Sequence, residues 1–420
     1  MPAVRNGLLT RLAVSHILFS NEIVIFDKST TIRKRNGGFV DVRVWLYRKD
    51  AGFQDFFRPD VEVRFLEDGG AFSNDKDVLF VHEGDACPEG ISQACCRKIE
   101  FEQKKLHQCL LQPLAKNYDA GWLKYQLRRT DPFDTVVAGS SYPMFGLDMQ
   151  QLPSWRNLSL ASQDFYYAIL LLKKLYEHQP YRRVVLGHYY YTIFSDLSRT
   201  ENPGEIVRVA NVYTDVLGGG TELSSPAVHH ASLLAPPPQG FYRSLIYDMP
   251  RLYEQAVDQF FDAHGKDYWN SAWKRVALRG CLWSDRKKAW KDITPEERDR
   301  AGRLRVQPHN KALKYVSTYW ENVCLLQSFG VWCQERGIRL VFLIFPVSQS
   351  YDRYLDPQFK ETYYEMLKGF SFPFEFLDLM VQTDGVTDED FNDTDHLNDL
   401  GAQRLTMALK AVLPERVADK

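Results

Sequence analysis

Residues 135–141 read Thr-Val-Val-Ala-Gly-Ser-Ser, an apolar run that ends in a glycine and two serines. The run from Thr135 to Ala138 carries no charge, and Gly139 closes it. A short continuous run of this kind, without polar alternation, is typical of a strand buried on both faces of a parallel sheet. We therefore predict a buried strand here, with Ser140 and Ser141 in the turn at its carboxyl end.

Further strands alternate with helices from this point to the end of the chain. A helix is expected to begin at Ser162 as its N-cap, and a last helix is expected over Leu400–Leu413. The alternation predicts an α/β fold, a three-layer parallel-sheet sandwich with flavodoxin-like order, whose active site lies at the carboxyl ends of the strands. The other four expected strands are Arg156–Leu160, Arg183–Leu186, Ile338–Phe345 and Phe374–Leu377.

The chain of 420 residues is long enough for two domains. We expect an additional N-terminal α/β unit of unknown role over 1–128 and a catalytic domain over 129–418, with a helical insertion at about 196–315. The N-terminal unit should contain a long helical stretch, Ser92 to Arg128, interrupted at Pro113. Its expected strands are Glu22–Phe26, Val40–Tyr47, Val61–Phe65 and Val78–Val81.

Composition excludes several classes of function. The net charge of -2 gives no reason to expect nucleic acid as a partner. No run of about 18 apolar residues occurs, so no membrane span is expected, and the first residues lack the pattern of a signal peptide. The seven cysteines are odd in number and match neither a zinc-binding nor a disulfide spacing, which predicts reduced thiols, no metal and a cytoplasmic location.

Two motifs follow strands at the predicted active-site edge. One is Gly139-Ser140-Ser141, and the other is Asp393-Thr394-Asp395-His396-Leu397-Asn398, followed by Gly401-Ala402. A serine hydroxyl is a weak nucleophile that needs a neighbouring base, and a carboxylate can orient a histidine for that task. Each motif alone has a plain structural interpretation, a turn for the first and a helix cap for the second. Together, in this order, they favour a Ser-His-Asp site, in which Asp395 competes with Asp393 and the three-residue spacing favours Asp393.

This arrangement resembles the SGNH (GDSL-like) hydrolase and acyltransferase superfamily, over about residues 134–192 and 337–413. The most similar members are bacterial glycan-modifying proteins, the alginate O-acetyltransferases and the protein that transfers D-alanine to teichoic acids. The resemblance implies that Ser141, rather than Ser140, is the nucleophile, with His396 as base and Asp393 as its carboxylate. It further implies that Ser162, at the position where the family often has glycine, donates its backbone N–H to the oxyanion.

One block departs from the family pattern. Members of the family usually have Gly-x-Asn-Asp after the third strand, whereas this chain has Gly187-His188-Tyr189-Tyr190-Tyr191. Either the oxyanion site has one side-chain donor fewer, which typically costs on the order of a hundredfold or more in rate, or His188 or Tyr189 replaces the asparagine. Tyr189–Tyr191 could alternatively stack on sugar rings or pack in the core.

Three further predictions concern residues outside these blocks. Ser348 and Tyr351 follow the most hydrophobic strand and are candidates for substrate contact. His309 is expected to open a helix. The insertion holds four tryptophans, for which a lid or sugar-binding role competes with simple packing: Trp269, Trp273, Trp283 and Trp290.

The resemblance implies a serine-dependent O-acyltransferase, most simply an O-acetyltransferase, that modifies a cell-surface polysaccharide such as a capsule, or its precursor. The acyl group would pass through Ser141, no cofactor would be bound, and acetyl-CoA is a candidate donor. A carbohydrate esterase with the same triad is one alternative. A non-catalytic glycan-binding or assembly module is another, favoured by the missing asparagine.

Overall fold

Two parallel sheets organise the chain in a computed structural model. It describes residues 43–49, 51–69, 71–73, 77–104, 106, 110, 118–200, 205, 209–217, 246–270, 290–382 and 386–414. The chain divides into two units. The first comprises Met1–Lys116 and Pro236–Phe260, and the second comprises Asn117–Ala235 and Phe261–Lys420.

The first unit contains a four-stranded sheet with the order β2-β1-β3-β4, and every pairing in it is parallel. Trp45, Leu79 and Val81 are buried in its core. A short helix, α1, covers Ala51–Gln54. The strands are β1 (Arg43–Leu46), β2 (Val63–Phe65), β3 (Asp77–Val81) and β4 (Cys96–Lys98).

Strand β4 corrects one sequence prediction, because it lies inside the stretch expected to be a helix from Ser92. Cys96 pairs with Leu79 of β3, and this tertiary pairing decides the local conformation against the helical pattern. The predicted interruption at Pro113 and the predicted strand Glu22–Phe26 both lie outside the described residues.

The second unit is built on a five-stranded parallel sheet with the order β6-β5-β7-β8-β9. All five strands lie where the sequence predicts them, with shifts of a few residues at their ends. Both described sheets are purely parallel, so the predicted α/β class is confirmed, and the arrangement is compatible with a three-layer sandwich. The strands are β5 (Thr135–Gly139), β6 (Trp155–Asn157), β7 (Arg183–His188), β8 (Arg339–Ile344) and β9 (Glu375–Asp378).

Helices separate these strands along the chain. None of the helices in the described ranges is long and apolar enough to cross a membrane. The helices are α2 (Tyr118–Arg128), α3 (Ser141–Gly146), α4 (Phe165–His178), α5 (Asp215–Leu217), α6 (Met249–Asn270), α7 (Pro295–Asn310), α8 (Val316–Glu335), α9 (Gln349–Asp352), α10 (Gln358–Lys368), α11 (Leu379–Gln382) and α12 (Asp399–Val412).

Helix α4 begins later than the sequence predicts. Its N-cap is Asp164, whose side chain accepts a hydrogen bond from the backbone N–H of Tyr167 at 2.9 Å. Ser162, the predicted cap, has a φ of 59° instead. This left-handed conformation places Ser162 in the loop before the helix and leaves the capping role to Asp164.

Helices α3 and α4 cover opposite faces of the sheet, as two consecutive residues of β7 show. A Cβ built on Gly187 would lie 2.8 Å from Pro143 of α3. The next side chain, His188, packs its ring against Phe165 of α4, with 4.0 Å between the ring centroids. Because neighbouring side chains in a strand point to opposite faces, α3 and α4 sandwich the sheet at this strand.

The chain leaves β5 in one direction to form β6 and then returns to the other side of β5 to form β7. Such a reversal opens a crevice at the carboxyl ends of β5 and β7, where ligands bind in doubly wound sheets. Ser141 follows β5 directly and therefore lies at this crevice.

Candidate active site

Gly139 allows a tight turn between β5 and α3. Its φ is +155°, and a Cβ at this position would lie 1.9 Å from the carbonyl oxygen of Gly187 on the adjacent strand. Ser140 occupies the N-cap position and is buried, whereas Ser141 is the first residue of α3 and is half-buried. The turn therefore directs one serine into the protein and leaves the other partly accessible.

Two side chains that the sequence analysis did not select hold this turn in place. Gln163 accepts a hydrogen bond from the backbone N–H of Gly139 at 2.9 Å and donates one to the carbonyl of Leu158 at 3.2 Å. Asn157 donates to the carbonyl of Pro143 in α3 at 3.1 Å. Both are buried, so these bonds satisfy groups that water does not reach.

The second motif forms a closed loop in front of α12. Phe391 and Leu397 form an antiparallel bridge, and the backbone N–H of Asn392 donates to the carbonyl of His396 at 2.9 Å. Asn398 then caps α12 by accepting from the N–H of Gly401 at 3.0 Å. A Cβ on Gly401 would lie 2.3 Å from the carbonyl oxygen of Asp390, so the loop and the helix approach each other closely only because residue 401 is glycine.

The structure brings Ser141, His396 and Asp393 together. Oγ of Ser141 lies 2.8 Å from Nε2 of His396, and Nδ1 of His396 lies 2.9 Å from Oδ1 of Asp393. Asp393 also accepts hydrogen bonds from the backbone N–H groups of Asp395 and His396, which fix its orientation. With its proton on Nδ1 toward Asp393, the imidazole presents the lone pair of Nε2 to the serine.

The competing carboxylate, Asp395, has a different principal partner. Its oxygens accept hydrogen bonds from Nε and Nη2 of Arg305, the closest at 2.9 Å, and Oδ1 accepts another from the hydroxyl of Thr394 at 2.7 Å. Oδ1 of Asp395 is 3.8 Å from Nδ1 of His396, beyond hydrogen-bond distance. The geometry thus gives Asp393 the orienting position that the three-residue spacing favours.

Burial and charge act in opposite senses on His396. Burial lowers its pKa, but the carboxylates of Asp393 and Asp395 outweigh burial and raise the pKa above its ordinary value. For Asp395, burial raises the pKa, while His396 and Arg305 together hold it well below its usual range. Asp395 is therefore an ionised, buried partner of Arg305 at neutral pH.

Three ligand atoms on Asp393, Asp395 and His396 lie within 4.8 Å of one another, a grouping that could hold a metal ion. Each of these side chains already has another partner, however. His396 faces Ser141 and Asp393 with its two nitrogens, and Arg305 contacts both oxygens of Asp395. A cation here would compete with these contacts, so the arrangement favours acid–base chemistry over metal binding.

Three residues predicted to bind the oxyanion or substrate lie in different surroundings. Ser162 is exposed in the loop after β6, and its left-handed φ of 59° is a conformation that glycine adopts most readily. His188 is fully buried on the α4 face of β7, away from α3, and burial lowers its pKa to about 3. The hydroxyl of Tyr189 donates to Asp352 at 3.2 Å. The partners that the structure gives to His188 and to the hydroxyl of Tyr189 are therefore Phe165 and Asp352.

The other two predicted substrate contacts have structural partners. Ser348 is buried, and its backbone N–H donates to the carbonyl of Thr394 at 3.0 Å, while its side chain caps α9. The hydroxyl of Tyr351 lies 2.6 Å from Nδ1 of His309, and the ring is fully buried. Ser348 thus anchors the His396 loop, and Tyr351 supports His309; neither side chain is presented as a free surface for substrate.

Helix α7 contributes two residues whose importance the sequence analysis missed. His309 lies in the last turn of α7 rather than at the start of a helix, and its ring stacks on Tyr191 with centroids 4.1 Å apart. Burial lowers the pKa of His309 to about 4. Arg305 and His309 are four residues apart and so share one face of α7, but this spacing does not indicate which segment the face meets.

One tryptophan of the insertion can be placed. Trp290 is buried, which agrees with a packing role. Trp273, Trp283 and the side chain of Trp269 lie outside the described residues. Of the four tryptophans, Trp290 alone has a described side chain, and its burial leaves little of the ring for a sugar to stack on.

No protein-family model matches this chain, and no curated protein matches it either.

Proposed function

We propose that this protein is a serine-dependent acyl-transfer enzyme of the SGNH type, with Ser141 as nucleophile, His396 as general base and Asp393 as the orienting carboxylate. The observation that carries the proposal is the continuous chain of hydrogen bonds from Oγ of Ser141 through both nitrogens of His396 to Asp393. A serine with a purely structural role does not require such a chain, whereas a nucleophilic serine needs a neighbouring base to accept its proton.

The geometry supports a double displacement. Oγ of Ser141 attacks the acyl carbonyl while its proton passes to Nε2 of His396, and the leaving group departs with that proton, which gives acyl-Ser141. A hydroxyl of the acceptor then transfers its proton to His396 and attacks the acyl group, and Ser141 recovers its proton. Asp393 stabilises the imidazolium that forms in each half.

Backbone N–H groups are the best candidates to stabilise the oxyanion. The first turn of a helix has N–H groups without intrahelical partners, and Ser141 begins α3. Ser162 is proposed as the second donor because its loop conformation is the one expected at the family's glycine. His188 and the hydroxyl of Tyr189 are unsuited as donors, because His188 packs on the opposite face of β7 and the hydroxyl of Tyr189 binds Asp352.

The identity of the substrate rests on sequence resemblance. The blocks Gly139-Ser140-Ser141 and Asp393 to Asn398, followed by Gly401-Ala402, are similar to those of bacterial glycan O-acetyltransferases. We therefore propose a sugar hydroxyl of a cell-surface polysaccharide or its precursor as acceptor, with acetyl groups as the transferred unit and acetyl-CoA as a candidate donor. Water as acceptor would make the same triad a carbohydrate esterase.

The test uses the full-length chain with an activated acetyl ester, with and without candidate glycans. Mass spectrometry of rapidly quenched protein should show an acetyl group on Ser141. Acetylated sugar in excess over free acetate would identify a transferase, and acetate alone would identify an esterase. Absence of any acyl-Ser141 with several activated esters would contradict the enzymatic proposal.

The hydroxyl of Tyr189 donates to Asp352 and so does not replace the missing asparagine donor. This observation favours the remaining alternative, a non-catalytic glycan-binding or assembly module. In that case the protein should retain glycan without consuming ester, and Ser141→Ala should not change glycan binding. The same mass-spectrometric experiment, with glycan binding measured in parallel, separates the two.

A further inference from the structure

Helix α7 supplies a cation to the loop that carries the proposed base. Nε of Arg305 lies 3.1 Å from each oxygen of Asp395, and Nη2 lies 2.9 Å from Oδ2. The side chain of Asp395 is 2% exposed, whereas that of Arg305 is 42% exposed. The pair therefore joins a buried carboxylate to an arginine that reaches in from the surface, with the two-point geometry that fixes both groups.

Asp395 is close enough to His396 to affect it. Its Oδ1 is 3.8 Å from Nδ1 of His396, whereas the nearer oxygen of Asp393 is at 2.9 Å. Two carboxylates beside one imidazole would stabilise the imidazolium more than a single carboxylate does. They would also compete for the same imidazole N–H. A base that stays protonated cannot accept the proton of a serine.

We propose that Arg305 is a positioning residue of the active site, which holds Asp395 away from His396 and neutralises it so that the imidazole pairs with Asp393. The meaning of this role for catalysis rests on the proposed function, but the effect on His396 does not. Arg305 touches neither Ser141 nor His396 in the described hydrogen bonds, and it acts through Asp395.

The other titratable groups that face His396 do not replace this cation. Ser141 and Tyr142 approach from α3, and the pKa of Tyr142 is raised well above its ordinary value by burial, so it stays neutral. His309 approaches from α7 and is also neutral near pH 7, because burial lowers its pKa to about 4. Among the described neighbours, Arg305 is therefore the positive charge that opposes Asp393 and Asp395.

The proposal predicts a pattern across four variants. Arg305→Gln leaves Asp395 without its cation and should raise the pKa of His396 by about one unit. Arg305→Lys keeps the charge and should give a smaller rise. Asp395→Asn removes the second carboxylate and should lower the pKa of His396, and Arg305→Gln combined with Asp395→Asn should bring it back toward the wild-type value.

The measurement is an imidazole ¹⁵N NMR titration of the full chain, with the His396 signal assigned from its loss in His396→Ala. Arg303→Gln is the matched control, because Arg303 is exposed on the same helix two residues away. This variant should leave the His396 titration unchanged. A shift that appears in Arg305→Gln and disappears in the double variant is a signature that a merely structural role would not produce.

An unchanged His396 pKa in Arg305→Gln would overturn the proposal, as would an equal rise in the double variant. If Arg305→Gln does not fold, Asp395→Asn decides the question, since an unchanged pKa there excludes any influence of Asp395 on His396. The titration requires no turnover. A protein that never forms acyl-Ser141 but shows the four-variant pattern would refute the proposed function and leave the role of Arg305 intact.

Discussion

Oγ of Ser141 lies 2.8 Å from Nε2 of His396, although 255 positions separate the two residues in the chain. Ser141 begins the helix after β5, and His396 lies in the loop before the last helix, α12. The parallel sheet brings both to the same edge, since each follows the carboxyl end of a strand. The pairing underlies the following predictions.

Ser141→Ala should reduce acyl transfer or ester cleavage by about a thousandfold or more while the protein remains folded, because its hydroxyl is the proposed nucleophile. Ser140→Ala is a matched control, since Ser140 is adjacent but buried and its hydroxyl has no hydrogen-bond partner in the structure. Initial rates with an activated acetyl ester, alongside circular dichroism, provide the measurement. Loss of activity in Ser140→Ala, with activity retained in Ser141→Ala, would assign the nucleophile to Ser140.

Asp393→Asn should slow turnover strongly, on the order of a hundredfold or more, because an amide can hold the imidazole in the wrong tautomer. Asp395→Asn should be milder, because Asp395 lies beyond hydrogen-bond distance of the ring. The ratio of kcat values in the two variants tests which carboxylate orients His396. An equal or larger loss in Asp395→Asn would reverse the assignment.

The rate should fall on the acid side with a midpoint above pH 6.5, the ordinary pKa of histidine, because Asp393 and Asp395 outweigh burial and raise the pKa of His396. The base must be neutral to accept the serine proton, so a raised pKa moves the acid limb upward. His309 and His188 cannot produce this limb, since their pKa values are lowered to about 4 and about 3. A profile of kcat/KM against pH with a midpoint well below 6.5 would contradict this assignment.

Gly139→Ala should disrupt the turn that carries Ser141, because the added Cβ would lie 1.9 Å from the carbonyl oxygen of Gly187. Gly337→Ala provides the comparison within the same unit. Gly337 also has a positive φ, +65°, but nothing lies within 4 Å of a Cβ there, so only the backbone cost of about 1–2 kcal/mol applies. Urea unfolding should show a larger decrease in the free energy of unfolding for Gly139→Ala than for Gly337→Ala. Equal losses would mean that the neighbouring strand moves aside easily.

His188→Leu should preserve activity, since His188 packs against Phe165 on the face of β7 opposite α3. It should also reduce the sensitivity of the fold to acid. The pKa of His188 is lowered by burial to about 3 in the folded protein, against 6.5 ordinarily. Between pH 6.5 and about pH 3, the unfolded chain binds a proton at His188 that the folded protein does not bind. The free energy of unfolding therefore carries no penalty from His188 above pH 6.5 and decreases as the pH falls toward 3.

Unfolding midpoints of wild type and His188→Leu at about pH 7 and about pH 4.5 check this prediction. The variant should lose less stability between the two conditions than the wild type. A large loss of activity in His188→Leu, with an unchanged unfolding midpoint, would instead show that His188 takes part in the active site.

Much of the second unit can be predicted from the sequence. The apolar runs at β5, β7 and β8 are buried on both faces, and burial of this kind leaves a continuous hydrophobic signal. Ser141 directly follows β5, whereas His396 lies just before the last helix, α12. Short edge elements carry a weaker signal, and β4 was therefore missed within a stretch of helical pattern.

The partners of individual side chains could not be predicted from the sequence. His188 and Tyr189 occupy the positions at which a donor was expected, but strand alternation points one of them at Phe165, and Asp352 accepts the hydroxyl of the other. Ser348 and Tyr351 follow the predicted strand end, yet their polar atoms contact Ser350 and His309. Position relative to a strand predicts proximity to the site and does not predict the direction of a side chain.

The parallel α/β class and the residue types of the candidate triad can be read from the sequence alone, because hydrophobic runs and residue types are local properties. It favoured Asp393 over Asp395 by spacing alone. Only the tertiary structure separated their roles, by placing Arg305 from the distant helix α7 against Asp395 and leaving Asp393 against His396. The physical reason is that a charged pair between remote segments depends on how helices pack on the sheet, which no local pattern encodes.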